Sequence, residues 1–301
     1  MELSWLEDFL ALANCANFSR AAELRNMTQP ALSRRIRALE DWVGAPLFDR
    51  THQPVALTEA GRIFHPSADE ALRRLFQSRE ECREVDGQAG ATLRFAATHS
   101  LSLTFFPSWL RSLEDRGPFG AVRLISDSLQ ACEQVMLQGQ AQFLLCHCHP
   151  AVPGRLGPDL FQSRLVGRDR LLPVSAPMNG TPRYALETAE GPIPCLAYNA
   201  ESGLGRIVAA APVVIRARSC LEPIFTSHLA AVLRALALEG RGVAWLPYSV
   251  IEQDLHRGVL VRAAGESWDI DLEIRLFRSL AKQSLAAEQF WMRLNEDREI
   301  K

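Results

Sequence analysis

Apolar positions in the first 48 residues recur every three or four places. Trp5, Leu6, Phe9, Leu10 and Leu12 form the first stripe, which predicts a helix from Met1 to Cys15, broken at Asn17. A second short helix follows. Ser19 stands where a cap is needed, and Ala21, Ala22 and Leu24 form a face on which two helices can cross closely. Asn26-Met27 reads as a turn. Thr28 is then an N-cap and Pro30 lies near the first helical position, where its missing N–H costs little. Ala31, Leu32, Ile36 and Leu39 make the inward face of this third helix. Ser33, Arg34 and Arg37 fall on its outward face, beside Gln29 near its N-terminus. A short helix, a tight polar turn and a cationic helix make the layout that places its second helix in a DNA major groove.

Two short apolar segments, around Leu47-Phe48 and Val55-Ala56-Leu57, flank the polar tip Thr51-His52-Gln53-Pro54 and read as a wing. Arg50 sits at its base. From Thr58 a helical pattern runs to about Val85, with Thr58-Glu59 as cap and first-turn acid and Pro66 expected to bend it. Phe64, Ala68, Ala71, Leu75, Ser78, Cys82 and Val85 form a heptad-like seam on a rod about 42 Å long. A stripe of that length calls for a second copy of the chain, so Phe64, Ala68, Ala71 and Leu75 are the expected dimerisation residues. Gly87-Gln88-Ala89-Gly90 reads as a hinge.

From Thr92 strands and helices alternate. Strands are expected at 93–97, 122–125 and 142–146, with helices over 103–113 and 129–138 between them. A second set comprises strands at 170–175, 193–198, 213–216 and 243–246, with a helix over 227–239. A strand near 271–278 and a helix over 283–298 return to the first set. The expected fold class is α/β overall: an N-terminal winged helix-turn-helix, a long linker helix and a two-lobed, periplasmic-binding-protein-like α/β effector domain. The expected domains are 1–57, 58–88 and 89–301, with one lobe at about 92–165 and 271–301 and the other at about 166–270. A ligand of such a domain sits between the lobes, at strand C-terminal ends.

Composition changes this picture little. The net charge of −2 excludes a global basic field, so a nucleic-acid surface must be local. All but two of the 33 basic residues are Arg, a bias spread over the whole chain. No apolar run is long enough to cross a membrane and no signal pattern opens the chain, so a cytoplasmic protein is expected. Seven scattered cysteines read as reduced thiols and not as a disulfide framework.

Candidate sensing residues lie at the strand ends. Thr98, His99, Ser100 and Ser102 stand where a strand hands over to a helix, a place suited to an anionic ligand and equally to plain capping. Asn199, Glu201 and Ser202 hold the corresponding place in the second lobe. Cys146-His147-Cys148-His149 carries thiolate and imidazole ligands, but in an extended segment the two Cys point one way and the two His the other. A metal site, a thiol switch and a strand end opening into the cleft all remain readings of it. No metal and no cofactor are expected. No nucleophile elbow, phosphate loop or zincin motif is present, so an enzyme on this scaffold, or a purely architectural DNA binder, is the weaker alternative.

The runs Phe9-Leu10-Ala11-Leu12, Asn17-Phe18-Ser19-Arg20-Ala21-Ala22, Thr28 through Ile36, Leu39-Glu40, Pro46 through Arg50 and Leu57-Thr58-Glu59-Ala60-Gly61 resemble the N-terminal module of the LysR-type transcriptional regulators. Leu238 through Pro247 extends the resemblance into the effector domain. Within that family, Ala96 through Leu103, Phe18 through Ala22 with Phe48, and Val243 through Pro247 are similar to the hypochlorite-responsive members, although Leu204 and Leu229 stand where a sensing Met would be sought. The resemblance implies DNA contacts by Thr28, Gln29, Pro30, Ser33, Arg34 and Arg37, with Arg50 in the wing. It implies effector contacts by Thr98, His99, Ser100 and Ser102, to which the strand-end reading adds Cys146, His147, Cys148, Asn199, Glu201 and Ser202. The implied partners are double-stranded promoter DNA, a small-molecule effector or an oxidant such as hypochlorite, a second copy in a homodimer or homotetramer, and RNA polymerase in an activator.

Overall fold

The structure, a computed structural model, describes residues 2–51, 54–85, 92–115, 117–118, 120–188 and 191–294. The chain divides into two compact units, residues 1–89 with 137–140, and residues 90–136 with 141–301.

In the first unit α1 (Leu3–Cys15), α2 (Phe18–Leu24) and α3 (Gln29–Val43) close on Phe9, Leu12, Leu32, Ile36 and Leu39, all without solvent exposure. Asn17, and not Ser19, caps α2: its backbone is extended and its side chain accepts the Arg20 N–H at 3.1 Å. The chain leaves α1 through Ala16 in a left-handed conformation, which puts the extended residue one place beyond it. Asn26, also left-handed, makes the turn into α3. Thr28 has N-cap backbone angles but its side chain makes no capping bond. Glu40 accepts the Leu47 and Phe48 N–H groups and so ties α3 to β1 (Phe48–Asp49), which pairs antiparallel with β2 (Ala56–Leu57). The wing tip, His52-Gln53, lies outside the described residues.

Helix α4 (Glu59–Val85) starts on Thr58, whose hydroxyl accepts the Gly61 N–H and donates to the Pro46 carbonyl. A Cβ at Gly61 would collide with the Leu47 carbonyl oxygen, so only glycine lets α4 approach this closely. The helix runs unbroken through Pro66. Its apolar positions divide in two. Ala68, Leu72 and Phe76 are buried in the core of α1–α3, and Phe64 packs edge-on against Phe9 with ring centroids 5.3 Å apart. Of the residues expected to meet a second copy, Ala68 is therefore buried and Phe64 partly covered by their own chain, because the first turns of α4 lie along α1. Ala71, Leu75, Ser78 and Cys82 remain exposed. The segment 87–90 read as a hinge lies outside the described residues.

The second unit opens with β3 (Leu93–Thr98), α5 (His99–Thr104), α6 (Phe106–Glu114), β4 (Val122–Asp127), α7 (Leu129–Leu137) and β5 (Phe143–Cys148). Strand β3 lies between β4 and β5, parallel to both. The helix expected over 103–113 is two helices, starting at His99 and broken at Phe105. The long β6 (Phe161–Ser175) crosses into the second lobe, followed by the hairpin of β7 (Pro177–Met178) and β8 (Thr181–Pro182). There β9 (Ile193–Tyr198), α8 (Gly203–Ala210), α9 (Pro212–Ala217), β10 (Leu221–Ser227), α10 (Ala230–Leu238), β11 (Ala244–Pro247), α11 (Tyr248–His256) and β12 (Val261–Arg262) follow. Strand β13 (Ile270–Ser279) recrosses and α12 (Leu285–Arg293) closes the first lobe.

The strand expected at 213–216 is the helix α9. Its β-branched run imitates a strand, but Pro212 sets the helix start, and the strand itself is β10, parallel to β9 with a register shift at Pro223. The main sheet runs β11-β6-β13-β5-β3-β4, with β12 also on β6. Two hydrophobic cores flank the crossing. Strand β13 gives Ile270 and Leu272 to the second-lobe core and Ile274 and Leu276 to the first. The chain thus changes lobes between Leu272 and Ile274, where the ends of β3 and β5 and the N-termini of α5 and α8 can face a common cleft.

Candidate nucleic-acid interface and effector cleft

The head has an asymmetric distribution of arginines. Asp8 lies in the apolar stripe of α1 with no solvent exposure. It accepts Arg25 Nε at 2.7 Å and Arg35 Nη1 at 3.2 Å, and Arg25 also reaches Glu7. A buried carboxylate must be paired, so the Arg25 guanidinium is turned inward, and Arg35, whose side chain stays 41% exposed, gives Nη1 to the same acid. Among the described residues Arg34 and Arg37 make no ion pair, and both are exposed on α3. Thr28, Gln29 and Pro30 are exposed at the α3 N-terminus, and Ser33 is half-buried one turn on. The first turn of α3 holds no acid, so its N–H dipoles meet incoming negative charge without a competitor. Arg50 is placed differently: it pairs with Glu40 at 2.5 Å, over the Phe18 ring. Sequence reasoning missed Asp8. Its signal was an acid inside the run Trp5-Leu6-Glu7-Asp8-Phe9-Leu10, where an apolar residue belongs.

In the second unit Thr98, His99, Ser100, His147 and Ser202 line one small cavity together with Asp127, Ser128, Gly203 and His228. Its volume, about 30 Å³, suits a single water-sized species. His99 Nδ1 is 3.1 Å from Ser126 Oγ, and the His99 and His228 rings are 5.7 Å apart. Desolvation pushes His99 below the usual histidine range with help from His228, against the pull of Asp127. Ser102 and Ser202 have structural bonds: Ser102 donates to the His99 carbonyl at 2.8 Å, and Ser202 caps α8 by accepting the Gly205 N–H. Asn199 and Glu201 do not line the cavity; Asn199 Oδ1 accepts the Glu201 N–H in a turn.

His147 lies at the junction of the lobes, buried, with Nε2 3.3 Å from Asp169 Oδ2. Asp169 also accepts the Ser249 hydroxyl at 2.6 Å, and Ser249 Oγ is 3.3 Å from Thr104 Oγ1 of the first lobe. Burial raises the Asp169 carboxyl, but hydrogen bonds from His147, Ser249 and the Arg170 N–H outweigh it, and the net displacement is downward. Two buried hydroxyls, Thr98 Oγ1 and Tyr198 Oη, have no hydrogen-bond partner among the described residues. An unpaired buried polar atom costs about 1–3 kcal/mol; Thr98 lines the small cavity, where a bound polar species would relieve that cost, whereas Tyr198 lines a different pocket.

Cys146 and Cys148 face away from His147, as strand alternation requires, into a second cavity of about 70 Å³ beside Glu133 and Arg206. His149 also borders that cavity, and its Nδ1 accepts the Ala151 N–H. No group of three or more His, Cys, Asp or Glu side chains suited to a metal occurs among the described residues.

Residues 3–62 match the family described as bacterial regulatory helix-turn-helix protein, lysR family, and residues 86–298 match the LysR substrate binding domain. The chain belongs to the LysR family of transcriptional regulators. It is 32% identical over 299 residues to the HTH-type transcriptional regulator YjiE of Escherichia coli K12, covering 98% of this chain and 95% of that one. Among solved structures, full-length HypT of Salmonella typhimurium, described as a hypochlorite-specific LysR-type regulator, is 32% identical with a TM-score of 0.59 over all of both chains. DarR of Vibrio fischeri, solved with DNA, is 34% identical with a TM-score of 0.55 over 97% of each. As a LysR regulator the chain is a DNA-binding transcription factor and not an enzyme. No helix among the described residues is long and apolar enough to cross a membrane.

Proposed function

We propose that this LysR regulator reads a promoter operator with α3 and adjusts that binding to a small polar species held between the lobes of residues 89–301. The exposed pair Arg34 and Arg37 carries the reading, because both are unpaired among the described residues, whereas Arg25 is held by Asp8 and Glu7 and Arg35 shares Asp8. Thr28, Gln29, Pro30 and Ser33 at the same helix end contact phosphates and base edges. Arg50 contributes by exchanging Glu40 for a phosphate. The exposed seam of Ala71 and Leu75 within residues 58–88 pairs two copies, so that two heads of residues 1–57 engage the DNA together.

For the effector, the small cavity of Thr98, His99, Ser100 and Ser202 supports a species no larger than a small anion or a small oxidant. The hypochlorite specificity described for HypT is compatible with that size. An operator selected from random duplexes by the parent protein provides the test. Arg34→Ala lowers affinity for it about 10- to 100-fold, the range of one lost bidentate base contact of about 1–3 kcal/mol. Fluorescence anisotropy at fixed salt reads this, with circular dichroism as the folding control. Unchanged affinity overturns the assignment.

A further inference from the structure

We infer that Cys146 and Cys148 form a redox-active dithiol, a modification site for a peroxide-class oxidant, whose closure into a disulfide acts on the interlobe cleft through His147. The two sulfurs lie 3.8 Å apart on one face of β5, within about 2 Å of bonding distance. They differ in access. Cys146 is 3% exposed, whereas Cys148 is half-buried, and both line the cavity beside Glu133 and Arg206. They also differ in protonation. Its hydrogen bond to Cys148, together with burial, holds Cys146 well above the usual thiol range. The same hydrogen bond, assisted by Arg275, lowers Cys148 against its own burial. Cys148 is therefore the attacking sulfur and Cys146 the resolving one.

The chemistry balances with hydrogen peroxide alone. The Cys148 thiolate attacks one peroxide oxygen, the O–O bond breaks, and hydroxide leaves, giving Cys148 sulfenic acid. The hydroxide takes the Cys146 proton and becomes water. The Cys146 sulfur then displaces the sulfenic oxygen, which departs as hydroxide and is protonated to a second water by solvent as the neutral disulfide forms. The proton lost when Cys148 ionised is the one returned, so two thiols and one peroxide give one disulfide and two waters.

The end of β5 can yield to this closure. Alternate Cα atoms in an extended strand are about 6.6–6.8 Å apart, the upper limit for a disulfide, so bonding shortens the segment. Strand β3 pairs with β5 only as far as Leu145, and the β13–β6 register shifts between Ile274 and Arg275, opposite His147 and Cys146. His147 sits between the two sulfurs on the opposite face. Puckering there displaces its ring from Asp169, the residue that links the lobes through Ser249.

The test uses the full chain with the exposed Cys82 and Cys220 changed to Ser, treated with equimolar hydrogen peroxide. Intact mass shows loss of two hydrogens, alkylation finds two thiols fewer, and peptide mapping finds a Cys146–Cys148 bridge that a reductant reopens. Cys146→Ser stops at a Cys148 sulfenic acid trapped by dimedone, and Cys148→Ser traps none. Oxidation confined to other cysteines, or Cys148 sulfinic acid beside an alkylatable Cys146, overturns the site. Imidazole NMR reads the coupling: the His147 resonances shift on oxidation of the parent and not of Cys146→Ser, and unshifted resonances overturn that half. Neither readout depends on DNA binding or on a bound effector, so failure here is distinguishable from failure of the regulatory reading.

Discussion

At the residue scale the most consequential group is Asp8, which no motif announced. Its carboxylate holds Arg25 and Arg35 and thereby decides which arginines of the head face outward. Breaking a buried pair costs about 3–5 kcal/mol, and here both arginines can turn toward water, so Asp8→Ala is expected to cost about 3 kcal/mol. Equilibrium denaturation checks this, and a loss under 1 kcal/mol would show that the pairs are not needed for folding. His99 gives a second expectation. Desolvation lowers its pKa, so the folded state favours the neutral ring. Its contribution to stability is complete above the unfolded value of about 6.5 and is lost as pH falls from there through the folded value. In NMR titrations the His99 midpoint lies below 6.5. Asp127→Asn moves it further down by removing the opposing acid, and His228→Ala moves it up.

At the scale of elements, α4 shows what a periodic pattern conveys and what it leaves open. Heptad spacing identified a long helix, but periodicity does not say which neighbour covers a stripe. The residues spaced by four from Phe64 to Phe76 face α1, while Ala71 and Leu75 face out. Two substitutions three residues apart should therefore behave differently. Leu72→Ala opens a cavity in the head and costs about 2–5 kcal/mol. Leu75→Asp leaves the head's unfolding midpoint nearly unchanged and weakens self-association, read by sedimentation velocity across a concentration series. An unaltered assembly would remove Leu75 from the interface. The misread segment 213–216 has a related cause: Val213-Val214-Ile215 has strand composition, and only Pro212 marks the helix start. In the genuine strand β10, Pro223 and its register shift disguise the pattern. Three helices and a turn were legible because turn residues and apolar spacing agreed there, although Asn17 and not Ser19 caps α2 and Thr28 makes no capping bond.

At the scale of the whole chain, alternation of strands and helices was enough to foresee an α/β sensor of two lobes. The individual partners in its cleft were not foreseeable. Ser126 and Asp127 of β4 and His228, which follows β10, reach His99 from two distant segments, and such meetings follow from sheet order, which a linear sequence does not display. The Asp169–Ser249–Thr104 connection was hidden for the same reason. The pairing of β6 with β13 has a mechanical meaning for the sensor. The antiparallel ladder runs along β13 from Ile270 to Ser279 with one register shift between Ile274 and Arg275, and β13 supplies buried residues to both cores. Sliding one lobe past the other would break that ladder rung by rung. Twisting strains it less, because at Asp271 and Leu272 the two strands have no further strand on either side, and a pair without neighbours tolerates wide variation in twist. The joint is thus a torsion bar: under the proposed reading, a species that settles in the cleft would do its work as torque, and the signal would leave the domain as a rotation.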